Sequence, residues 1–80
     1  MDAQSVMWLE IATDRGIRCR LQKESFIIYS YAYSIEGLMS EIEKNKPDVV
    51  VMDLDLYERM DGIETSRKIR NRFDVPVVYV

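Results

Sequence analysis

Acidic residues carry most of the chemistry open to this sequence, and Asp53 is the best placed of them. It follows Val49, Val50, Val51 and Met52, an apolar run without polar alternation. Such a run suits a strand covered on both faces, as in a parallel sheet. A carboxylate directly after it stands at the strand's carboxyl end, where open α/β sheets gather ligand and catalytic groups. There it could act as a nucleophile or hold a hard cation. The plain alternative is a solvated aspartate that closes a strand. Asp61-Gly62 supplies a turn, and Asp61 with Glu64 has the spacing of a helix capping box. Other chemistries lack their residues. There is no histidine, no glycine-rich phosphate loop and no Cys/His metal cluster. The single Cys19 cannot form an internal disulfide, so a reducing cytoplasm is the default compartment.

The elements that would position Asp53 alternate along the chain. Ser5–Trp8 reads as a short first strand. Ile11–Lys23 reads as a helix, with Ile17 and Leu21 at i, i+4 and Arg15, Arg18, Arg20 and Lys23 as polar neighbours. Phe26–Tyr33 is rich in aromatic and β-branched residues and reads as a strand. Ile27, Tyr29, Tyr31 and Tyr33 fall on one face, and Phe26, Ile28, Ser30 and Ala32 on the other. Ser34 suits a helix N-cap. Ile35, Leu38, Met39 and Ile42 then give an amphipathic helical stripe, and Pro47 stops it. After Asp53 a loop is expected, then a helix over Ile63–Arg72 that buries Ile63, Ser66, Ile69 and Phe73. Val75–Val80 reads as a last strand, with Pro76 near its start. Strand and helix in turn imply an α/β fold with a parallel sheet and right-handed crossovers.

The stretch Lys46–Gly62 resembles the third strand and following loop of a response-regulator receiver domain, the phosphorylation module of two-component signalling. Arg72-Phe-Asp-Val-Pro-Val-Val-Tyr79 resembles the entry to that family's fourth strand. The loop lacks the proline common after the phosphoacceptor and is one residue longer. The resemblance implies a flavodoxin-like fold of strand order 2-1-3-4, with the family's last α/β elements, those after the fourth strand, missing. It implies that Asp53 accepts a phosphoryl group from a sensor histidine kinase or phosphotransfer protein. It also implies a Mg2+ ion held by Asp53, by the backbone carbonyl of Asp55 and by an acidic pair after the first strand. That pair would fall near Trp8-Leu9, where no side chain binds a hard cation. Glu10 is the adjacent substitute, with Asp14 a poorer one; Glu10 would equally suit a helix start. The family's Ser/Thr and Lys positions would come after Val80.

Size and composition fit one small domain over residues 1–80. Of its residues, 48% are hydrophobic and 31% charged, as in ordinary globular proteins. A net charge of −3 argues against a nucleic-acid module, whose footprint is basic. Met1–Arg15 holds no long apolar run, so neither a signal peptide nor a membrane span is expected. Arg67, Lys68, Arg70 and Arg72 read as the solvated face of the last helix. The last strand would lie at an open, apolar edge. Edges of that kind template association, so a homodimer is expected, formed by pairing of fourth strands across a two-fold axis or by exchange of elements between chains. Three roles remain open: a phosphoacceptor that is not itself an enzyme, a degenerate receiver that only docks or dimerises, and a piece of a longer response regulator.

Overall fold

The computed structural model describes residues 5–12 and 16–80. In chain order the elements are β1 (Ser5–Ile11), β2 (Ile17–Lys23), β3 (Phe26–Ala32), α1 (Ile35–Asn45), β4 (Val49–Met52), α2 (Leu54–Arg59), α3 (Gly62–Phe73) and β5 (Val77–Tyr79). They form one sheet of order β3-β2-β1-β4-β5. The expected α/β class holds. β1, β4 and β5 are parallel neighbours, with Leu9 opposite Met52 and Met52 opposite Tyr79. This is the 1-3-4 part of the expected order.

The remainder of that order is corrected. Ile17–Lys23 is a strand, not the end of a helix. It pairs antiparallel with β1 and with β3, so β3 reaches β1 only through β2. The reason lies in the residues. Ile17, Cys19 and Leu21 are buried, while Arg18 and Arg20 between them, and Gln22 after them, are not. Two residues four apart share a face at period 3.6 and at period 2 alike; Cys19 between them satisfies only period 2. A two-residue turn at Glu24-Ser25, with Glu24 at φ 55°, joins β2 to β3, as a tight hairpin requires. The first turn of the expected helix includes residues 13–15, which lie outside the described residues.

The core lies on one face of the sheet. Met7, Leu9, Ile17, Cys19, Leu21, Ala32, Val50 and Met52 meet Leu38, Met39 and Ile42 of α1, Leu56 of α2 and Ile69 of α3 in one cluster. Among the described residues, every helix packs on that face. α1 begins where the sequence places it: Ser34 Oγ accepts from the Gly37 amide at 3.0 Å. It ends at Lys46, just before Pro47, where a left-handed residue donates its N–H to Ile42. Ser5 and Asp48 lock the parallel register of β1 and β4. The Ser5 amide donates to Asp48 Oδ2 at 2.9 Å, and the Asp48 amide to Ser5 Oγ at 3.2 Å. In α3, Thr65, Ser66 and Ile69 are buried, but Ile63 is exposed, a correction to the expected face. Arg67 pairs with Glu64 and Arg72 with Glu43 at the surface, as a solvated helix face should. No described helix is long and apolar enough to cross a membrane.

Cys19 is fully buried. Burial pushes its thiol up to about 11, with the charge of Glu41 adding to the shift and a hydrogen bond with Ser30 opposing it. The thiol therefore favours the folded state below its ordinary pKa of ~8.5, and that contribution is lost as pH rises towards the folded value. Alkylation of the native chain at pH 8 should run at least about a hundredfold slower than after denaturation, because only the thiolate attacks. Equal rates in the two states, followed by mass spectrometry, would show that the β2 assignment is wrong.

Candidate functional site

β4 is the central strand of the parallel part, flanked by β1 and β5. Its three last residues, Val50, Val51 and Met52, are buried. Asp53 comes next, at the carboxyl rim, half-buried. Its backbone is pinned on both sides. The amide donates to Leu9 on β1 at 3.0 Å, and the carbonyl accepts from the Tyr57 amide at 2.9 Å. The side chain caps α2, Oδ1 accepting from the Asp55 amide at 3.1 Å. The backbone around the carboxylate is thus set by the β1–β4 ladder and by the first turn of a helix.

That helix replaces the expected loop. Leu54–Arg59 coils because Leu56 can reach the core while Asp53 supplies the cap. The signal in the sequence is Leu56 and Met60, spaced i, i+4 and both packed at the core. Asp55 lies in the first turn, exposed, its carboxylate 3.4 Å from Arg59 Nε. Helical carbonyls point along the axis towards the carboxyl end. The Asp55 amide therefore faces Asp53, and the Asp55 carbonyl lies in the first turn of α2.

Glu10 stands level with Asp53, one step beyond the Leu9–Met52 pair. Its carboxylate is already engaged. Glu10 faces Arg18 across the β1–β2 ladder and forms an ion pair with it. The hydrogen bond and charge of Glu10 hold the Arg18 guanidinium above its ordinary pKa. Reading residues 17–23 as a helix hid this partner; the alternation of arginines with apolar residues was the available signal. Asp14 lies outside the described residues. Among the described residues no three acidic, histidine or cysteine side chains converge on a common point. Among the described residues the side-chain donors at this rim thus do not by themselves fit a Mg2+ ion: Glu10 is paired with Arg18 and Asp55 with Arg59, which leaves one carboxylate.

The sequence of residues 10–80 matches the response regulator receiver domain family. This chain belongs to the receiver family. The match includes the whole of β4, α2 and α3, with Asp53 directly after β4. Over 53 residues, 66% of this chain, the receiver is 36% identical to a protein-glutamate methylesterase/protein-glutamine glutaminase of Syntrophus aciditrophicus. It spans 15% of that relative's length. No solved structure matches it significantly. Of the residues singled out in the sequence, the receiver's fold brings Asp53, Asp55 and Glu10 to one rim of the sheet. Glu10 and Asp55 are each paired with an arginine, whereas Asp53 caps α2 and has no ion pair among the described residues.

Proposed function

We propose that this receiver takes a phosphoryl group on Asp53 from the phosphohistidine of a sensor histidine kinase or phosphotransfer protein, in the cytoplasm, and signals through a protein-binding surface. The observation that supports this is the position of Asp53: a half-buried carboxylate capping a helix at the rim of the central parallel strand. In the transfer, the oxygen of Asp53 not held by Asp55 attacks phosphorus. A P–O bond forms, the P–N bond breaks, and the imidazole nitrogen leaves with its electron pair and takes up a proton. The Asp55 amide fixes the other carboxylate oxygen during attack. The chain acts as an acceptor and not as an enzyme with turnover. Receivers commonly use Mg2+, but the donors described above give no step to assign to it.

The Glu10–Arg18 pair favours a second reading, a degenerate receiver that docks or dimerises without phosphorylation. One experiment separates the two. The chain is incubated with a small-molecule phosphodonor, with and without Mg2+, and its intact mass is measured. The first reading predicts one phosphoryl adduct, absent from Asp53→Asn. The absence of any adduct, with self-association unchanged in Asp53→Ala, establishes the second.

A further inference from the structure

We infer that β3 is a docking edge for a second copy of this chain, pairing antiparallel with its own counterpart across a two-fold axis. This goes beyond the role of Asp53. It also moves self-association from β5, where the sequence places it, to the opposite end of the sheet.

β3 is the terminal strand of the order β3-β2-β1-β4-β5. One side of its backbone bonds β2 along its full length, from Phe26 to Ala32; among the described residues the other side has no strand. Natural edges are usually protected by lysine, proline, a bulge or short length. The strand Phe-Ile-Ile-Tyr-Ser-Tyr-Ala has none of these: it holds 7 residues and no charge. The β5 edge is different. It is 3 residues long, is preceded by Pro76, which lacks an N–H, and continues into Val80, whose carbonyl already accepts from Leu54.

The exposed surface matches what a dimer needs. Phe26, Ile27, Ile28, Tyr29, Tyr31 and Tyr33 each leave between 46% and 67% of their surface open. With aromatic side chains of ~150–250 Å2 each, this strip offers at most about 600 Å2 per chain, divided between the two faces of the sheet. Two strips together reach at most ~1,200 Å2, the lower end of the range for specific interfaces, which fits a dimer of modest affinity.

The strand also complements itself. Centring the two-fold on Tyr29 sets Tyr29 against Tyr29 of the second copy, and Ile27 against Tyr31. These are aromatic and β-branched cross-strand pairs on the face opposite the helices. On the helix-bearing face, Phe26 meets Ala32 and Ile28 meets Ser30, large against small. Because the strand carries no charge, self-pairing brings no like charges together. The new aromatic row continues that of Trp8, over which Arg20 already lies at 5.2 Å, and of Tyr29, which holds Arg18 at 5.8 Å.

Sedimentation equilibrium of the full chain tests this. The wild type should dimerise in the micromolar range. Tyr29→Lys, which places two ammonium groups together at the axis, should be monomeric with an unchanged circular dichroism spectrum. In a Cys19→Ser background, Tyr29→Cys should cross-link to itself on oxidation, since paired strands hold opposed Cα atoms about 4.5–5.5 Å apart, within disulfide reach. A wild type that stays monomeric overturns the proposal. So does a Tyr29→Lys chain that still dimerises, or a Val78→Cys chain that cross-links in place of Tyr29→Cys. None of these variants alters Asp53, so phosphorylation and pairing succeed or fail separately.

Discussion

Leu9→Ala should remove roughly 2–5 kcal/mol of stability, the ordinary cost of deleting a fully buried leucine. Leu9 has no exposed surface. It sits on β1 between Cys19 of β2 and Met52 of β4, at the join of the antiparallel and parallel halves of the sheet. Neither neighbour can close the cavity without shifting a paired strand. Its backbone carbonyl also holds the Asp53 amide, so any shift of β1 moves the rim of the site. A domain of this size has a total stability of only about 4–12 kcal/mol. The variant should therefore be partly unfolded near body temperature. Urea unfolding at fixed protein concentration checks this, with exposed Lys68→Ala as a control expected within ~0.5 kcal/mol of wild type. A Leu9→Ala loss below about 1 kcal/mol would place Leu9 outside the core.

The second large effect is at Gly62, the first residue of α3. A Cβ there would lie 2.3 Å from Tyr57 Cδ2 and 2.7 Å from the Tyr57 carbonyl oxygen. The ring has little room to move: it packs edge-on against Tyr79, with centroids 4.9 Å apart and planes at 71°. The oxygen belongs to the backbone of α2 and can move only with that helix. Gly62→Ala gains ~1 kcal/mol of helix propensity, but forcing atoms into a filled space costs about 1–3 kcal/mol. Gly62→Val adds two further methyls without further propensity. It should lower stability by several kcal/mol in total and displace α2, which Asp53 caps. Melting curves and the near-ultraviolet tyrosine signal report both effects. A Gly62→Val chain as stable as wild type would refute the close approach of α2 and α3.

The parts of this receiver that could be read in advance are those where a single residue pattern had one structural solution. Val49–Met52 is too short and too uniformly apolar for a surface helix, and it forms the buried strand. Ser34, the stripe Ile35-Leu38-Met39-Ile42 and Pro47 fix α1 at both ends and along one face. Asp61 caps α3, its Oδ1 accepting from the Glu64 amide at 3.1 Å. The misreadings occur where two periods share the same residues. Ile17 and Leu21 satisfy a helix and a strand equally, and only Cys19 separates them. Leu56 and Met60, inside an acidic stretch, carry too little apolar content to mark α2 against a loop.

The site was legible to the same degree. Asp53 needed only the end of a strand. The fate of Glu10 depended on whether residue 18 stood beside it, and that follows from the hairpin rather than from any local motif. The ion pair of Asp55 with Arg59 depended on α2. Each missed feature therefore traces to an element boundary, not to the chemistry of the side chain.

The most direct test is to locate the phosphoryl group itself. The chain is treated with a phosphodonor, the acyl phosphate is reduced with borohydride to fix its position, and peptides are sequenced by mass spectrometry. A receiver built around the rim of β4 yields a single modified residue, Asp53. Modification at Asp55, Asp61 or Glu10 with Asp53 untouched, or no modified residue at all, would contradict it.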